Sequence, residues 1–533
     1  MLASSHRSAA PARDRRRRLG PIALLMLALA PAAGMAQPAP AQPILGERLN
    51  AAAVAGPTAL LDTLSRELAR NPRLAATPGS AATLARAAAT PVQGFVGARG
   101  PVYREIAQRI IAAAPAGQRG AVQQAVSEAL RPYTEMPVRI ALPQRSPLVV
   151  GTTRPAAPQV GSLGIKLGSF TVYPDVQAST YYDDNIYATS HGHVSDWIGT
   201  ISPRIAIQSN WDRHSLYAEA GADLTGYWSH PHENSADWHV LSEGQIDVSD
   251  KTQILLGAIA LKSHEDRASP DAVEGIDPTP YNEEDGYLGV VHRFGDFTLR
   301  LGGAIEHLTF GNVLGTHGEI NNEDRDRTRY TFGGLLRYEA NPKLRPFVEV
   351  MGDLRRYVTV PDDFGFNRNS DGFLAGVGTL YTLTDKLSGE VFLGVLHRNY
   401  TDPSFKSLTT PAADATLRWQ ATGRTAVVLF TERTIEETTL FGSPGYIYTL
   451  VGGRIEQRLT DRLTGILRAA YAHSDFAQAG RNDNDVDTSV GVRYRLTSRV
   501  TLGVDYRYTQ RVSGSTLTDF SRNQVFFRIG TEF

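Results

Sequence analysis

The sequence predicts an all-β protein, a transmembrane antiparallel β-barrel of about 18 strands preceded by a small helical or disordered segment. Three observations carry this prediction. The N-terminus has the pattern of a secretion signal, long and short connections alternate between strand-like runs from residue 161 onward, and the last amphipathic strand ends on an aromatic residue. A soluble all-β protein such as a propeller would not explain the regular alternation of the connections.

The composition excludes several other classes of protein. Lys and Arg (54) balance Asp and Glu (55), so the chain lacks the basic excess that is typical of nucleic-acid binding. Cysteine is absent, which excludes a disulfide framework, a thiol nucleophile and a thiolate metal site. The mean hydropathy of −0.24 is too low for a helical membrane protein.

Residues 1–36 are predicted to be a signal peptide. A run of arginines at positions 15–18 precedes an apolar stretch over residues 19–33, and Gly34 and Ala36 fit a cleavage site. The apolar stretch is shorter than the ~20 residues that a membrane-spanning helix needs. The pattern therefore indicates export by the general secretory route.

Residues 37–160 are rich in Ala and Pro and are predicted to be a periplasmic region, helical or partly disordered. Leu60, Leu61, Leu64 and Leu68 recur at helical spacing, and Pro72 ends that helix. Two further helices are predicted around residues 106–111 and 122–130. One interpretation is a small structural hairpin or linker, and the other is an element that docks a periplasmic partner or enters the pore.

Residues 161–533 are predicted to form the barrel. Nine long connections, rich in Asp, Asn, Gly and Pro, alternate with eight short ones made of turn residues. Residues 401–411 and 437–445 are examples of the long class, and residues 497–498 of the short class. This count implies 18 strands. Because the count is even, both ends of the barrel domain lie on the side of the short turns, which is expected to face the periplasm.

Within the strands, apolar and polar residues alternate. Leu502 and Val504, for example, alternate with Asp505 and Arg507. An Arg or Lys that faces lipid near the bilayer midplane costs about 2–4 kcal/mol, so the charged face should point into a wet lumen. The predicted lumen-lining residues are Arg300, Glu306, Glu349, Asp353, Arg355, Glu390, Arg493, Arg495, Asp505, Arg507 and Arg528.

The last strand, residues 522–533, carries Phe527, Ile529 and Phe533 on one apolar face. This ending resembles that of bacterial outer-membrane barrels, in which the terminal strand serves the assembly machinery as an address. The resemblance implies that these three residues form the assembly signal and that the barrel-assembly machinery is a partner.

Several stretches resemble the putative β-barrel porin 2 family of outer-membrane proteins. The resemblance covers about residues 165–533 and implies an outer-membrane barrel without catalytic residues. Some members of the family are associated with exopolysaccharide export. The similar stretches are residues 182–189 (YDDNIYAT), 194–196 (VSD), 321–327 (NNEDRDR), 366–372 (FNRNSDG), 389–392 (GEVF) and 436–440 (EETTL).

Enzyme and metal motifs do not emerge. The sequence has no nucleophile elbow, phosphate loop, dinucleotide fingerprint or zinc-binding HExxH. His191 and His193 are interpreted as solvated loop residues, because a metal site needs a third ligand. Residues 482–487 (NDNDVD) lack the central Gly and closing Glu of a calcium loop and are predicted to be a hydrated loop. We therefore expect no catalytic residue, no metal and no cofactor.

Two functions remain open at this point. The first is a porin-like channel for a hydrophilic solute or an exported polysaccharide, and the second is a non-conducting envelope barrel that binds partners through its loops or N-terminal helices. Expected partners are outer-membrane lipid and lipopolysaccharide, and polysaccharide or periplasmic export components, but not nucleic acid. The expected location is the bacterial outer membrane, with the N-terminal region in the periplasm.

Overall fold

The computed structural model describes residues 45–54, 57–89, 99–134 and 164–532, apart from residues 212, 271, 273–274, 316–317, 342, 439, 498–499 and 516–517. The predicted signal peptide and Phe533 lie outside the described residues. Helices occupy the described part before residue 135, and strands occupy the part after residue 164.

The N-terminal part folds into a bundle of short helices around an Ala- and Leu-rich core. Leu60, Leu64 and Leu68 are buried, so the predicted helix face is the one that packs inward. Arg109 fastens two helices by donating from Nη1 to the Leu61 carbonyl oxygen at 3.1 Å. Among the described residues, no helix is both long and apolar enough to cross a membrane. The helices are α1 (Leu45–Val54), α2 (Pro57–Arg70), α3 (Pro78–Ala89), α4 (Arg99–Ala113) and α5 (Arg119–Thr134).

Two of these helices were not predicted from the sequence. The helix α3 begins after Thr77, whose hydroxyl oxygen accepts a hydrogen bond from the Ser80 backbone N–H at 3.2 Å, as an N-cap residue does. Its Ala-rich sequence carries little periodic signal, because nearly every position is small and apolar. The helix α1 is joined to α2 by the ion pair between Arg48 and Glu67, at 3.0 Å.

The C-terminal part is a closed antiparallel barrel of 18 strands, which confirms the predicted fold class and strand number. Each strand pairs with the next along the chain, and the last strand pairs with the first, with Asp183 opposite Gln524. Closure leaves no strand edge with unpaired backbone groups, which is what a sheet inside a bilayer requires.

The strands are of nearly equal length, 12 to 15 residues each. The first nine are β1 (Phe170–Asp183), β2 (Asp196–Ser209), β3 (Ser215–Tyr227), β4 (Ser235–Asp247), β5 (Thr252–His264), β6 (Pro280–Phe294), β7 (Phe297–Phe310), β8 (Arg327–Tyr338) and β9 (Leu344–Tyr357). The other nine are β10 (Ser370–Thr384), β11 (Leu387–Tyr400), β12 (Leu408–Gln420), β13 (Thr425–Glu436), β14 (Tyr446–Arg458), β15 (Leu463–Phe476), β16 (Asn482–Arg495), β17 (Val500–Ser513) and β18 (Phe520–Glu532).

Two predicted loops are shorter than expected. The hydrated loop predicted over residues 482–487 is wrong, because β16 begins at Asn482 and its Asp residues lie in the strand. The connection predicted over residues 401–411 ends earlier, since β12 begins at Leu408. In both cases the polar run has the composition of a loop, but polar residues also suit a strand whose inner face is wet.

Large rings on the inner face lie flat against the wall instead of projecting into the lumen. The Phe392 ring covers Gly376 and Gly394, where an added Cβ would approach its Cζ atom to 2.6 and 3.0 Å. The Phe347 ring is nearly parallel to it, with the two centroids 6.3 Å apart. Glycines beneath these rings therefore make room for aromatic bulk at the wall.

Candidate functional site

The two faces of the barrel wall differ as the alternation predicts. Large apolar side chains at alternate positions are exposed on the outside, among them Leu288 (61%), Val377 (60%) and Leu393 (59%). The intervening positions carry most of the charged side chains of the strands. The candidate functional site is therefore the inner face of the barrel, together with the loops that fold against it.

The eleven predicted lumen-lining residues all occupy positions of the inward set on their strands, which are β7, β9, β11 and β16–β18. The structure brings some of them together. Arg493 donates to both oxygens of Asp505 at 2.8 Å, and Arg528 donates to the same carboxylate. Their part in lining a route for solutes remains a prediction.

Three aspartates on β16 pair with arginines, two of which, Arg507 and Arg511, lie on the neighbouring strand β17. Asp485 accepts a hydrogen bond from Arg511 Nε at 2.8 Å, and Asp487 accepts one from Arg507 Nε at 2.8 Å. Asp483 is fully buried and accepts a bond from Arg481 Nε at 3.0 Å. The residues that the sequence suggested as a hydrated loop thus neutralise arginines on the wall.

A second charged cluster surrounds Asp353 on β9. Arg398 Nη2 donates to both carboxylate oxygens of Asp353, at 2.6 and 2.8 Å. Arg329 Nε lies 3.1 Å and Arg355 Nε 3.2 Å from Asp353 Oδ2. One carboxylate therefore holds three guanidinium groups from three neighbouring parts of the wall.

The loop after β13 reaches into this cluster. We name this loop, residues 437–445, L7. Its first residue, Glu437, pairs through Oε1 with Arg355 Nη1 at 3.0 Å and through Oε2 with Arg327 Nε. The arginines lie on β8 and β9, whereas L7 starts from β13, so the loop folds inward past β10 to β12.

The charges around Glu437 keep it ionised. Burial raises the pKa of this carboxyl, but Arg327 and Arg355 lower it by more, to about 2 from its ordinary 4.5. At neutral pH the side chain is therefore an anion bound between two cations. The contact is charge-assisted on both carboxylate oxygens.

L7 is also fastened to the loop after β9, residues 358–369, which we name L5. Arg368 of L5 donates from Nη1 to the carbonyl oxygens of Thr438 and Ser443, at 2.8 and 3.0 Å. Its Nε donates to Asp362 at 2.6 Å. L7 therefore has two anchors, the pairs of the Glu437 carboxylate and the bonds from Arg368.

A third loop folds inward from another part of the wall. We name residues 265–279, between β5 and β6, L3. Asp266 of L3 lies 3.5 Å from Nη1 of Arg522 on β18. Burial raises the pKa of the Asp266 carboxyl, but the positive charge of Arg522, the hydrogen bond from the Ala268 backbone N–H and the charge of Arg507 together lower it below its ordinary value. L3 and L7 therefore each place a carboxylate beside an arginine of the wall at the long-loop end of the barrel.

At the short-turn end, the helical bundle touches the inner face of the barrel. Gln108 of α4 donates a hydrogen bond to the hydroxyl of Tyr173 on β1. Tyr173 is buried (2% exposed) and belongs to the inward set of its strand. The bundle thus contacts the inner face of the barrel wall at this end.

The sequence reasoning missed Glu437, Arg327 and Arg368 as site residues. Local alternation places a residue on a face, but it does not say which loop folds inward. A signal was nevertheless present, because these residues lie in three of the stretches that carry the family resemblance: residues 321–327, 366–372 and 436–440. In the structure these stretches meet at one place.

No group of three or more His, Asp or Glu side chains is arranged to hold a metal ion in the described part of the chain. His191 contacts the hydroxyl of Ser190 at 2.8 Å, in the exposed loop where the sequence places it. The inner face of the described barrel therefore carries arginines and carboxylates that are paired along its wall.

Comparison with known proteins agrees with this architecture. The model of the family described as "Putative beta-barrel porin 2" matches residues 157–533. No curated protein matches the sequence.

Several solved structures are similar to the chain. OpdO of Pseudomonas aeruginosa is 14% identical, with 68% of this chain and 97% of that chain covered and a TM-score of 0.39. OpdK of the same organism, solved with vanillate, is 10% identical, with coverages of 68% and 99% and a TM-score of 0.38. OccAB3 of Acinetobacter baumannii is 14% identical, with coverages of 68% and 99% and a TM-score of 0.37.

Proposed function

Because the chain belongs to the putative beta-barrel porin 2 family and forms a porin-like β-barrel of the bacterial outer membrane, we propose that it is a channel for small hydrophilic solutes. The family and the barrel point to a channel rather than to an enzyme. The observation that carries the proposal is the charged inner face of a closed barrel of 18 strands. A barrel of this size is wide enough for an aqueous path.

The inward loops favour small solutes over a polymer. L3 and L7 bring Asp266 and Glu437 to arginines on separate parts of the wall, which narrows the passage between them. Paired charges along the wall provide weak and multiple contacts, which permit a solute both to enter and to leave. Passage of an exported polysaccharide would require these loops to move aside.

The membrane placement is part of the same proposal. The short-turn end, with the helical bundle, faces the periplasm, and residues 1–36 direct export. Phe527 and Ile529 are exposed on the outer face of β18 (43% and 44%), where the barrel-assembly machinery can read them. Lipid and lipopolysaccharide surround the apolar outer band.

The decisive experiment is single-channel recording of the folded full chain in a planar bilayer with KCl. We expect steady conductance steps. The contact of Gln108 with Tyr173 predicts that the bundle lowers the step size without abolishing it. Silence from a protein that is folded, as judged by heat-modifiable migration on gels, would refute the channel and leave the partner-binding alternative.

A further inference from the structure

We propose that Arg327 and Arg355 form a binding site for a carboxylate-bearing solute, which Glu437 of L7 occupies while no solute is present. The inference rests on the proposed channel function and deepens it, because it names the chemical class of the solute. It depends on four features of the site: the geometry of the pair, its charge balance, its unpaired donors and the position of Glu437 in a loop.

The first feature is the geometry. One oxygen of Glu437 pairs with Arg355 at 3.0 Å, and the other pairs with Arg327. Both arginines belong to the paired strands β8 and β9, so the wall fixes their positions. A planar carboxylate held by two guanidinium groups is a common mode of recognition for this anion. A solute carboxylate can occupy the same position.

The second feature is the charge balance. Four arginines and four carboxylates share this part of the inner face, so Glu437 supplies part of the negative charge that balances the arginines. Removal of the Glu437 carboxylate makes the cluster more positive by one charge in a largely buried site, where an anion is favoured. The members are Arg327, Arg329, Arg355, Arg398, Glu306, Asp353, Glu436 and Glu437.

The third feature is a set of donors without partners. The hydroxyl of Tyr400 and the Nε atom of Arg398 are buried and make no hydrogen bond within the described residues. Tyr400 lies within electrostatic reach of Arg355 and Glu437. Unpaired buried donors are costly, and their presence beside an anion site fits a ligand with further oxygen atoms.

The fourth feature is that the carboxylate between the two arginines, that of Glu437, belongs to a loop. Asp353 is held in a strand, but Glu437 is the first residue of a loop and can turn away by side-chain and local backbone rotation. L7 then keeps only its second anchor, the bonds from Arg368 to the carbonyls of Thr438 and Ser443, so the loop loosens without leaving the wall. A solute therefore competes with a single side chain rather than with the fold of the loop.

The test compares glucuronate with glucose, which differ only at C6, where glucuronate has a carboxylate and glucose has a hydroxymethyl group. In single-channel recording of the full chain, Glu437→Gln should raise the apparent affinity for glucuronate block roughly tenfold, because the competing anion is gone. Glucose should have no effect on any variant. Adding Arg327→Gln to Glu437→Gln should abolish the gain.

Asp266→Asn is the matched control. It removes one negative charge from another inward loop, where the carboxylate lies 3.5 Å from Arg522 and accepts a hydrogen bond from the Ala268 backbone N–H at 2.8 Å. Both single variants should shift the reversal potential in a KCl gradient toward the chloride value. Only Glu437→Gln should bind glucuronate more tightly, and equal affinities in the two variants would overturn the proposal while leaving the channel itself standing.

A second measurement keeps the proposal testable if Glu437→Gln does not fold or if the barrel is silent. The chain has no cysteine, and Phe441 at the tip of L7 is 65% exposed, so Phe441→Cys accepts a spin label at a single site. In vesicles, glucuronate should increase the mobility of this label and glucose should not. An unchanged spectrum at saturating glucuronate would refute the site independently of conductance.

Discussion

Asp353 shows how one residue sets the arrangement of its surroundings. Its carboxylate is 3% exposed and holds Arg329, Arg355 and Arg398, each of which would otherwise be a buried cation next to two others. Such a pair adds little stability compared with apolar packing, but its disruption is costly, because charges remain without a partner. The effect of Asp353 on stability therefore depends on its position on the inner face and on the charges that it contacts.

We expect Asp353→Asn to lower the free energy of unfolding by about 3–5 kcal/mol, since three arginines lose their common anion. Asp371→Asn is the control, because Asp371 forms a 2.6 Å pair with Arg356 but is 61% exposed on its side chain. That change should cost less than about 1 kcal/mol. Urea unfolding in lipid vesicles measures both, and similar values would show that burial does not govern the strength of these pairs.

One of the two anchors of the loop L7 depends on the ionisation of a single group, the carboxyl of Glu437. The pKa of Glu437 is about 2 in the folded protein against an ordinary 4.5, so folding favours the ionised form. The stabilisation is therefore complete above pH 4.5 and is lost as the pH falls through about 2.

We expect the spin label at Phe441→Cys to become more mobile between pH 4.5 and about 2, as Glu437 takes up a proton and leaves the two arginines. The same label in a Glu437→Gln background should already be mobile at pH 7 and should change little over this range. A label whose mobility is independent of pH in both proteins would show that Glu437 does not hold the loop.

Each strand has an outward face and an inward face, and two leucines of β11 allow the surroundings of the two faces to be compared. On β11, Leu393 is 59% exposed and belongs to the outward set, whereas Leu396 belongs to the inward set and packs near Phe392. The side chains differ in surroundings, although the residue type and the strand are the same.

Leu393→Arg should destabilise the barrel by about 2–4 kcal/mol, because an arginine near the midplane faces lipid. Leu396→Arg should cost less than half as much, since its guanidinium group reaches the wet inner face. Unfolding by guanidinium chloride in vesicles of fixed thickness gives both values. The reverse order would mean that the two faces are assigned wrongly.

At the scale of the whole molecule, the helical bundle and the barrel wall are in contact. The helical core is a separate cluster of buried Ala, Leu, Ile and Val residues, and the Gln108–Tyr173 bond joins the bundle to the inner face at the short-turn end. This location favours a bundle that partly obstructs the passage.

We therefore expect a chain lacking residues 37–160 to conduct more in each single-channel step than the mature full-length chain. The effect should be on step size, because the obstruction lies at one end of the barrel rather than along its wall. Equal steps from the two folded proteins would show that the bundle lies clear of the path and would favour a role in docking a partner.

The sequence by itself determined the barrel, its 18 strands and the inward set of positions. These features follow from local rules, since alternation has a period of two residues and turn chemistry is confined to a few neighbouring positions. The same rules failed for residues 482–487, because a polar strand in a wet lumen resembles a loop. They also missed the helix α3, whose uniform alanines give no periodicity.

Only the tertiary structure decided which charges meet. Glu437 is far from Arg327 and Arg355 in the sequence, and it reaches them because closure of the barrel places β8, β9 and the start of L7 around one lumen. The pairing energy depends on distance and burial, neither of which the order of residues contains. The candidate carboxylate site therefore exists in the folded molecule alone, although each of its residues is present in the sequence.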